Sequence, residues 1–190
     1  MTRVRLEFDQ VQIYRPKERW NLYFVVMAEH PSDPEKMVVT TLPQEPFKLS
    51  KRHENAFQFD TGDEGAEGLF VLSREIPANQ ELNVHVYLKH SRKTVRDLGE
   101  VFQNIEEGLG DDSYGVASDL LGTTSTQWLV IAKKAIPEVG KILAKIPDRD
   151  FGFLSAFERF GSEFETQHEV DRKKDFSGDA SLVYSWSVDA

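Results

Sequence analysis

Apolar and polar residues alternate with a period close to two over the first 90 positions, which is typical of β-strands. In the first of these segments the apolar residues change phase once, at Asp9 and Gln10, and such a one-residue slip predicts a β-bulge. Residues 20–29 are apolar on both phases, which indicates a strand covered on both of its faces. Further strands are predicted at residues 37–42, 47–49, 57–59, 69–72, 82–88 and 182–188.

Between about residue 95 and residue 165 the period lengthens to about 3.6, which predicts helices. The first predicted helix covers residues 94–107. A second is predicted over residues 128–146, because a capping-box signature at residues 124–127 precedes an apolar face that spans roughly 160°. A third helical stripe, which we expect to pack in the core, is predicted by four phenylalanines at i, i+4, i+7 and i+11: Phe153, Phe157, Phe160 and Phe164.

The order of these elements predicts a mainly β protein, an antiparallel, immunoglobulin-like β-sandwich of seven to eight strands with helices before the last strand. The length of 190 residues fits one domain. Within this single domain, residues 1–190, we expect the sandwich at residues 1–93 and 180–190. The helical insertion is expected at residues 94–179.

Four short motifs follow one another between residues 20 and 105. They are Ser32-Asp33-Pro34 before a strand, Asn55-Ala-Phe57-Gln-Phe59, Leu82-Asn-Val84-His-Val86-Tyr87, and Asp97-Leu98-Gly99-Glu100. In type and order they resemble the motifs of C2 domains, and the resemblance implies a C2-like β-sandwich that contacts lipid or protein and performs no chemistry. Calcium-binding C2 domains carry aspartates after the third motif, whereas residues 88–93 here hold three cations and no carboxylate. The resemblance is therefore to the calcium-independent type, with only Asp33 and Asp97 at acidic positions of that family.

Charge and composition limit which partners and which cellular locations are expected. The chain has 23 Lys and Arg against 32 Asp and Glu, a net charge of −9, which disfavours nucleic acid as the partner. The absence of cysteine excludes disulfides and thiol nucleophiles. The first residues lack the apolar core of a secretory signal, and the longest apolar run is too short for the ~18 residues of a membrane span. We expect a cytoplasmic location, with export by a route independent of a signal left open.

Two charged loops provide the candidate binding residues. A cationic group formed by Lys89, His90, Arg92 and Lys93 could meet an acidic partner, and we expect it at the same end of the sandwich as Asp33 and the loop 60–68. That loop carries the candidate metal ligands Asp60, Asp63, Glu64 and Glu67. Their spacing lacks the order of an EF-hand, so a solvated acidic loop is the alternative.

Sequence motifs for catalysis are missing. The chain has no G-x-S-x-G, S-x-x-K, phosphate-binding glycine loop or paired metal-binding histidines, and we predict no cofactor and no catalytic residue. His85 shares a strand face with Asn83 and Tyr87. The three side chains could form a polar patch, and the alternative is that His85 is an ordinary surface histidine. The prediction is a non-enzymatic binding module that contacts a protein partner. One alternative is a protein that binds an anionic membrane through the cationic loop or through the helix that begins at Trp128. Another is a hydrolase whose catalytic residues come from distant loops. The oligomeric state is left open.

Overall fold

The computed structural model describes residues 2–14, 19–50, 55–59, 68–92, 98–122 and 126–189. The strands in these residues are β1 (Arg3–Ile13), β2 (Arg19–Glu29), β3 (Lys36–Ser50), β4 (Ala56–Gln58), β5 (Leu69–Glu75), β6 (Glu81–His90), β7 (Ser113–Ala117), β8 (Trp128–Ala132), β9 (Arg149–Arg159), β10 (Glu169–Asp175) and β11 (Ala180–Asp189). The α-helices are α1 (Leu98–Leu109), α2 (Ile136–Lys145) and α3 (Ser162–Thr166).

The strands form two antiparallel sheets. The first sheet has the order β10-β11-β1-β4, and β5 also pairs with β1. The second has the order β7-β8-β3-β2-β6-β9. The predicted class, a mainly β antiparallel sandwich, is confirmed, although the eleven strands in the described residues exceed the seven to eight expected.

The inner faces of the two sheets bury a shared apolar core. Phe8 of β1 meets Phe24 of β2 edge to face, with 4.9 Å between the ring centroids. Trp186 of β11 and Trp20 of β2 are also buried in this core. The bulge predicted at Asp9 is confirmed, because the pairing of β1 with β11 shifts register between Phe8 and Gln10.

A second core lies between the outer face of the six-stranded sheet and the two longer helices. Alternate residues of β2, including Val25 and Met27, pack there against α1 and α2, so β2 is buried on both faces as predicted. The helices approach each other closely at Gly108, where a Cβ atom would lie 2.7 Å from Cδ1 of Ile142. The sandwich thus has a third, helical layer on part of one face.

The helix predicted over residues 128–146 is wrong in its first part. Residues 128–132 form β8, and α2 begins only at Ile136, with Pro137 in its first turn, where a missing N–H costs nothing. All five residues of β8 are buried, since Trp128 faces the inner core and Leu129 the core under the helices. A short, uninterrupted apolar run fits such a central strand as well as a buried helix. The apolar face of this segment is core, not a free surface.

The phenylalanine stripe is also not helical, because residues 149–159 form β9. Phe153 and Phe157 are an even number of positions apart, so they share one face of a strand just as they would share one face of a helix. They lie on the outer face and are exposed, whereas Phe160 and Phe164 lie in the core. The expectation that all four are core residues is wrong for the first two.

Helix α1 overlaps the first predicted helix, whose residues 94–97 lie outside the described residues. The stretch predicted as a helical insertion, residues 94–179, holds strands β7 to β10 as well as the helices. Three of these strands, β7, β8 and β9, belong to the same sheet as β2 and β6. The chain between β6 and β11 therefore completes the sandwich in addition to covering it.

Candidate functional site

Lys89, the first residue of the predicted cationic group, is not at the surface. Its side chain is on the outer face of β6 and only 1% of the residue is exposed. Its Nζ donates a hydrogen bond to the carbonyl oxygen of Leu143, at 2.9 Å, in the last turn of α2. A cation at this position stabilises the negative end of the helix dipole. Lys89 therefore holds α2 against the sheet, which corrects the expectation that it faces a partner.

His90 is also fixed by contacts within the fold. The backbone N–H of Asn21 donates to its Nδ1 at 3.0 Å. Its ring meets Trp20 edge to face, with 5.0 Å between centroids. The imidazole thus closes one end of the inner core.

Arg92 is the exposed cation among the described members of the group. Its backbone N–H donates to Oδ1 of Asp148 at 3.2 Å, and the hydroxyl of Tyr23 donates to Oδ2 of the same carboxylate at 2.8 Å. Asp148 is buried, so these bonds anchor the chain that leaves β6. The described residues do not assemble the cationic surface that the sequence predicted.

Asp33 lies at the opposite end of the sheet. His90 pairs with Leu22 near the start of β2, whereas Asp33 follows Glu29 at the end of that strand. Seven residues of strand separate the two ends by roughly 23 Å. Lys36, with its Nζ 3.0 Å from Oδ2 of Asp33, helps to hold the pKa of this carboxyl below its usual value. Asp33 thus shapes the turn into β3, and its expected place beside the cationic loop is wrong.

The other charged candidates, Lys93 and the acidic residues Asp60, Asp63, Glu64 and Glu67, lie outside the described residues. In the described part of the chain, no group of three or more His, Cys, Asp or Glu residues is placed to hold a metal ion. No described helix is both long and apolar enough to cross a membrane.

An aromatic surface covers the outer face of β6 and β9, at one edge of the six-stranded sheet. We define it as His85 and Tyr87 of β6 with Phe153 and Phe157 of β9. Phe153 is 36% exposed and Phe157 is 47% exposed, which is unusual for phenylalanine. Helices α1 and α2 cover the outer face of β2, β3 and β8, and the aromatic surface begins where that cover ends.

Phe153 packs against both aromatic residues of β6. Tyr87 is directly opposite Phe153 in the register, with 5.1 Å between ring centroids. His85 stacks on the same phenylalanine at 5.5 Å with an interplanar angle of 22°. Gly140 of α2 adjoins Tyr87, because a Cβ atom there would lie 3.0 Å from the phenol oxygen. This part of the aromatic surface is therefore continuous with the side of α2.

His85 keeps the centre of the aromatic surface uncharged. Burial lowers the pKa of this histidine, and the carboxylate of Glu29 opposes the effect only in part. The imidazole is therefore neutral at pH 7, and its Nδ1 is buried without a hydrogen-bond partner among the described residues. A neutral ring stacked on phenylalanine leaves an apolar centre.

Polar groups lie between and beyond the aromatic rings, because Ser155 is between Phe153 and Phe157 on β9 and Asn83 is directly opposite Phe157. Asn83 and Ser155 form a side-chain hydrogen bond, and beyond them Arg159 donates from Nε to Oε1 of Glu81 at 2.8 Å. Exposed aromatic residues together with hydrogen-bonding groups are typical of protein-binding surfaces. The alternation along β6 predicts His85 and Tyr87 on one strand face, but the sequence does not indicate that Phe153 and Phe157 are surface residues. Their even spacing is compatible with a strand, but it does not say which face of the strand is covered.

Clefts elsewhere on the molecule are a second kind of candidate. One cleft, with a volume of about 390 Å³, lies between α1, β3 and β7. Its lining includes Thr41, Gln103 and Val116. A cleft of about 310 Å³ at the Asp33 end of the sandwich is lined by both Arg3 and Arg74.

Comparison with known proteins assigns no family to this fold. The sequence matches no protein-family model and no curated protein. The evidence for function is therefore the geometry of the surfaces described above.

Proposed function

We propose that the chain is a non-enzymatic binding module that contacts a protein partner through the aromatic surface on β6 and β9. The observation that carries this proposal is the exposure of Phe153 and Phe157 on β9, beside an uncharged His85 on the paired strand β6. Burial of such rings in a complex removes apolar area from water without ordering a flexible loop. Aromatic anchors of this kind often contribute about 2 kcal/mol or more each to binding.

The chemistry of the surface indicates the chemistry of the partner. Its aromatic rings suit apolar or aromatic side chains. The Asn83–Ser155 pair between the rings and the Glu81–Arg159 pair at one end suit a partner that also has hydrogen-bonding groups. The resemblance to calcium-independent C2 domains, a family that contacts protein or lipid, agrees with a binding role. A cytoplasmic location is part of the same proposal.

A protein partner is favoured over an anionic membrane by the positions of the charged and apolar groups. Lys89 is buried, and the apolar side of α2 packs on the sheet, so neither is available to a lipid surface. The aromatic surface itself carries an ion pair at its rim and no described cluster of cations. Anionic lipid recognition depends on such clusters.

The test is site-specific photocrosslinking in the native host. A photoreactive phenylalanine analogue replaces Phe157 in one variant and Tyr114 in a control. Tyr114 is on β7, at the other edge of the same sheet, and is at least as exposed. We expect a crosslink to one defined protein from position 157 and none to that protein from position 114. The purified pair should then bind, and a Phe153→Thr, Phe157→Thr variant, which keeps strand-favouring side chains, should bind much more weakly.

Three results would overturn the proposal: no specific crosslink from position 157, crosslinks only to a second copy of this chain, or unchanged binding by the double variant. Flotation of the purified protein with vesicles that contain phosphatidylserine provides a separate measurement. Co-flotation that depends on Phe153 and Phe157 would assign the aromatic surface to lipid and would also contradict a protein partner.

A further inference from the structure

A second, independent site is indicated by a polar cleft at the end of the sandwich where β2 and β5 terminate. The cleft has a volume of about 310 Å³, and its lining includes Arg3, Ser32, Ser73, Arg74, Asp119 and Gly122. It lies at the Asp33 end of the molecule, since Ser32 belongs to the turn that follows β2. It shares no lining residue with the aromatic surface.

Arg74 is the most unusual residue of this cleft. It is only 9% exposed, on the inner face of β5, and its Nη1 donates to the carbonyl oxygen of Glu29 at 2.9 Å. Its Nε is buried without a hydrogen-bond partner among the described residues. No described carboxylate forms an ion pair with it, because the carboxylate of Glu29 faces Lys133 instead, at 3.7 Å. Burial of a guanidinium is costly, the nearby Glu29 carboxylate offsets that cost only in part, and an anion in the cleft would add a counter-charge.

Arg3 brings a second guanidinium to the same cleft. Ser73 holds it in place, since Nε of Arg3 donates to the Ser73 hydroxyl at 3.2 Å and Nη2 donates to the Ser73 carbonyl oxygen at 3.0 Å. The two arginines come from paired strands, where Val4 is directly opposite Arg74. A pre-positioned guanidinium loses little entropy when it binds an oxyanion through two parallel hydrogen bonds.

The chain at residues 119–122 forms one wall of the cleft in a strained conformation. Asp119, Leu121 and Gly122 have φ angles of 59°, 53° and 70°. Gly122 lies so close to β5 that a Cβ atom would be 2.9 Å from the carbonyl oxygen of Ser73. Left-handed backbone at non-glycine residues persists where the surrounding structure imposes it, and it is enriched in walls that clamp ligands.

We propose that this cleft binds a small ligand through a carboxylate or phosphate group that pairs with Arg74 and Arg3. The largely buried guanidinium of Arg74 supplies the main positive charge, and the Ser73-bound guanidinium of Arg3 supplies the second. The carboxylates of Asp119 and Glu75 border the same cleft and oppose a bare anion, so inorganic ions should bind in the millimolar range or weaker.

The test follows the arginine Nε–H resonances of the purified full chain by NMR. Inorganic phosphate and sodium acetate are titrated in separate experiments at constant ionic strength. We expect a saturable shift of the Arg74 signal, which is assigned by its loss in an Arg74→Lys variant. Arg74→Met should weaken binding about tenfold or more, since a charge-assisted hydrogen bond is lost. Arg3→Gln should weaken it severalfold.

Two further variants make the result independent of any folding defect at Arg74. Asp119→Asn removes an opposing carboxylate and keeps a residue type that tolerates the left-handed backbone, so binding should become severalfold tighter. Arg159→Gln, on the exposed outer face of β9, is the control and should leave binding unchanged. A saturable shift with only phosphate or only acetate would support the proposal and identify the ligand group. A saturable shift with both anions would support a site for oxyanions in general. No saturable response to either, or equal binding by wild type, Arg3→Gln and Asp119→Asn, would overturn it.

Discussion

Replacement of Asp9 by Asn should change how the stability of the protein depends on pH. Asp9 is the bulged residue of β1, and Oδ1 accepts a hydrogen bond from Ser185 at 3.3 Å. Its Oδ2 is buried without a partner among the described residues. Burial is the main cause that raises the pKa of this carboxyl from 3.8 to about 7, and the nearby Asp171, Glu7 and Glu169 add to the effect.

The sign and size of the effect follow from proton linkage. Below pH 4 the group is protonated in both states. Between pH 4 and pH 7 the unfolded chain releases the proton while the native state retains it, so the free energy of unfolding falls as the pH rises. If the whole pKa shift contributed, the free energy of unfolding would fall by about 4 kcal/mol, at about 1.4 kcal/mol per pKa unit. The side chain is partly exposed, and solvent screening reduces the expected loss to about 1–3 kcal/mol.

Urea denaturation of the wild type and of Asp9→Asn at pH 4, 6 and 8 measures this difference. We expect nearly equal stability at pH 4 and a variant more stable by about 1–3 kcal/mol at pH 8, because the amide never ionises. Asp111→Asn, at an exposed aspartate, is the matched control for the substitution and should not reproduce the gain in stability at pH 8. A pH-independent difference for Asp9→Asn, or a variant less stable than wild type at pH 8, would refute the reasoning.

Two other substitutions test how parts of the fold are held. Lys89→Met should lower the free energy of unfolding by about 1–3 kcal/mol, because the charged hydrogen bond to the Leu143 carbonyl is lost. Backbone hydrogen exchange should also become faster in α2, and unchanged exchange there would refute this role of Lys89. Gly152→Ala should cost about 2 kcal/mol or more in thermal or urea melts, since Gly152 has φ +107° and its Cβ would lie 2.6 Å from the N of Gly178. Gly161→Ala, with open space around the new Cβ, is its control, and an equal effect of both would contradict the argument.

Period-two alternation located most of the sandwich because it is a local signal. The phase slip at Asp9 and the two-sided apolar pattern of β2 were sufficient to predict a bulge and a central strand. The same logic failed at β8, because residues 128–132 are apolar throughout and the apolar positions of α2 follow them in helical phase. A pattern that is apolar throughout does not distinguish a strand from a helix.

The candidate sites were harder to predict, because they depend on contacts between distant segments. Charge suggested that Lys89 is exposed, but the end of α2 lies over it. Exposure of Phe157 depends on how far the helices extend over the sheet. The burial of Arg74 arises where β5, the end of β2 and residues 119–122 meet. Local periodicity contains none of this information.

The affinity of the crosslinked partner for purified variants is the most direct test of the role assigned to the aromatic surface. Isothermal titration calorimetry would compare wild type, the Phe153→Thr, Phe157→Thr variant and a Tyr114→Thr control of equal thermal stability. We predict that the double variant loses affinity by about 30-fold or more, which corresponds to about 2 kcal/mol, and that the control changes less than about twofold. Equal affinity of the double variant and wild type would contradict the assignment of this surface as the binding site.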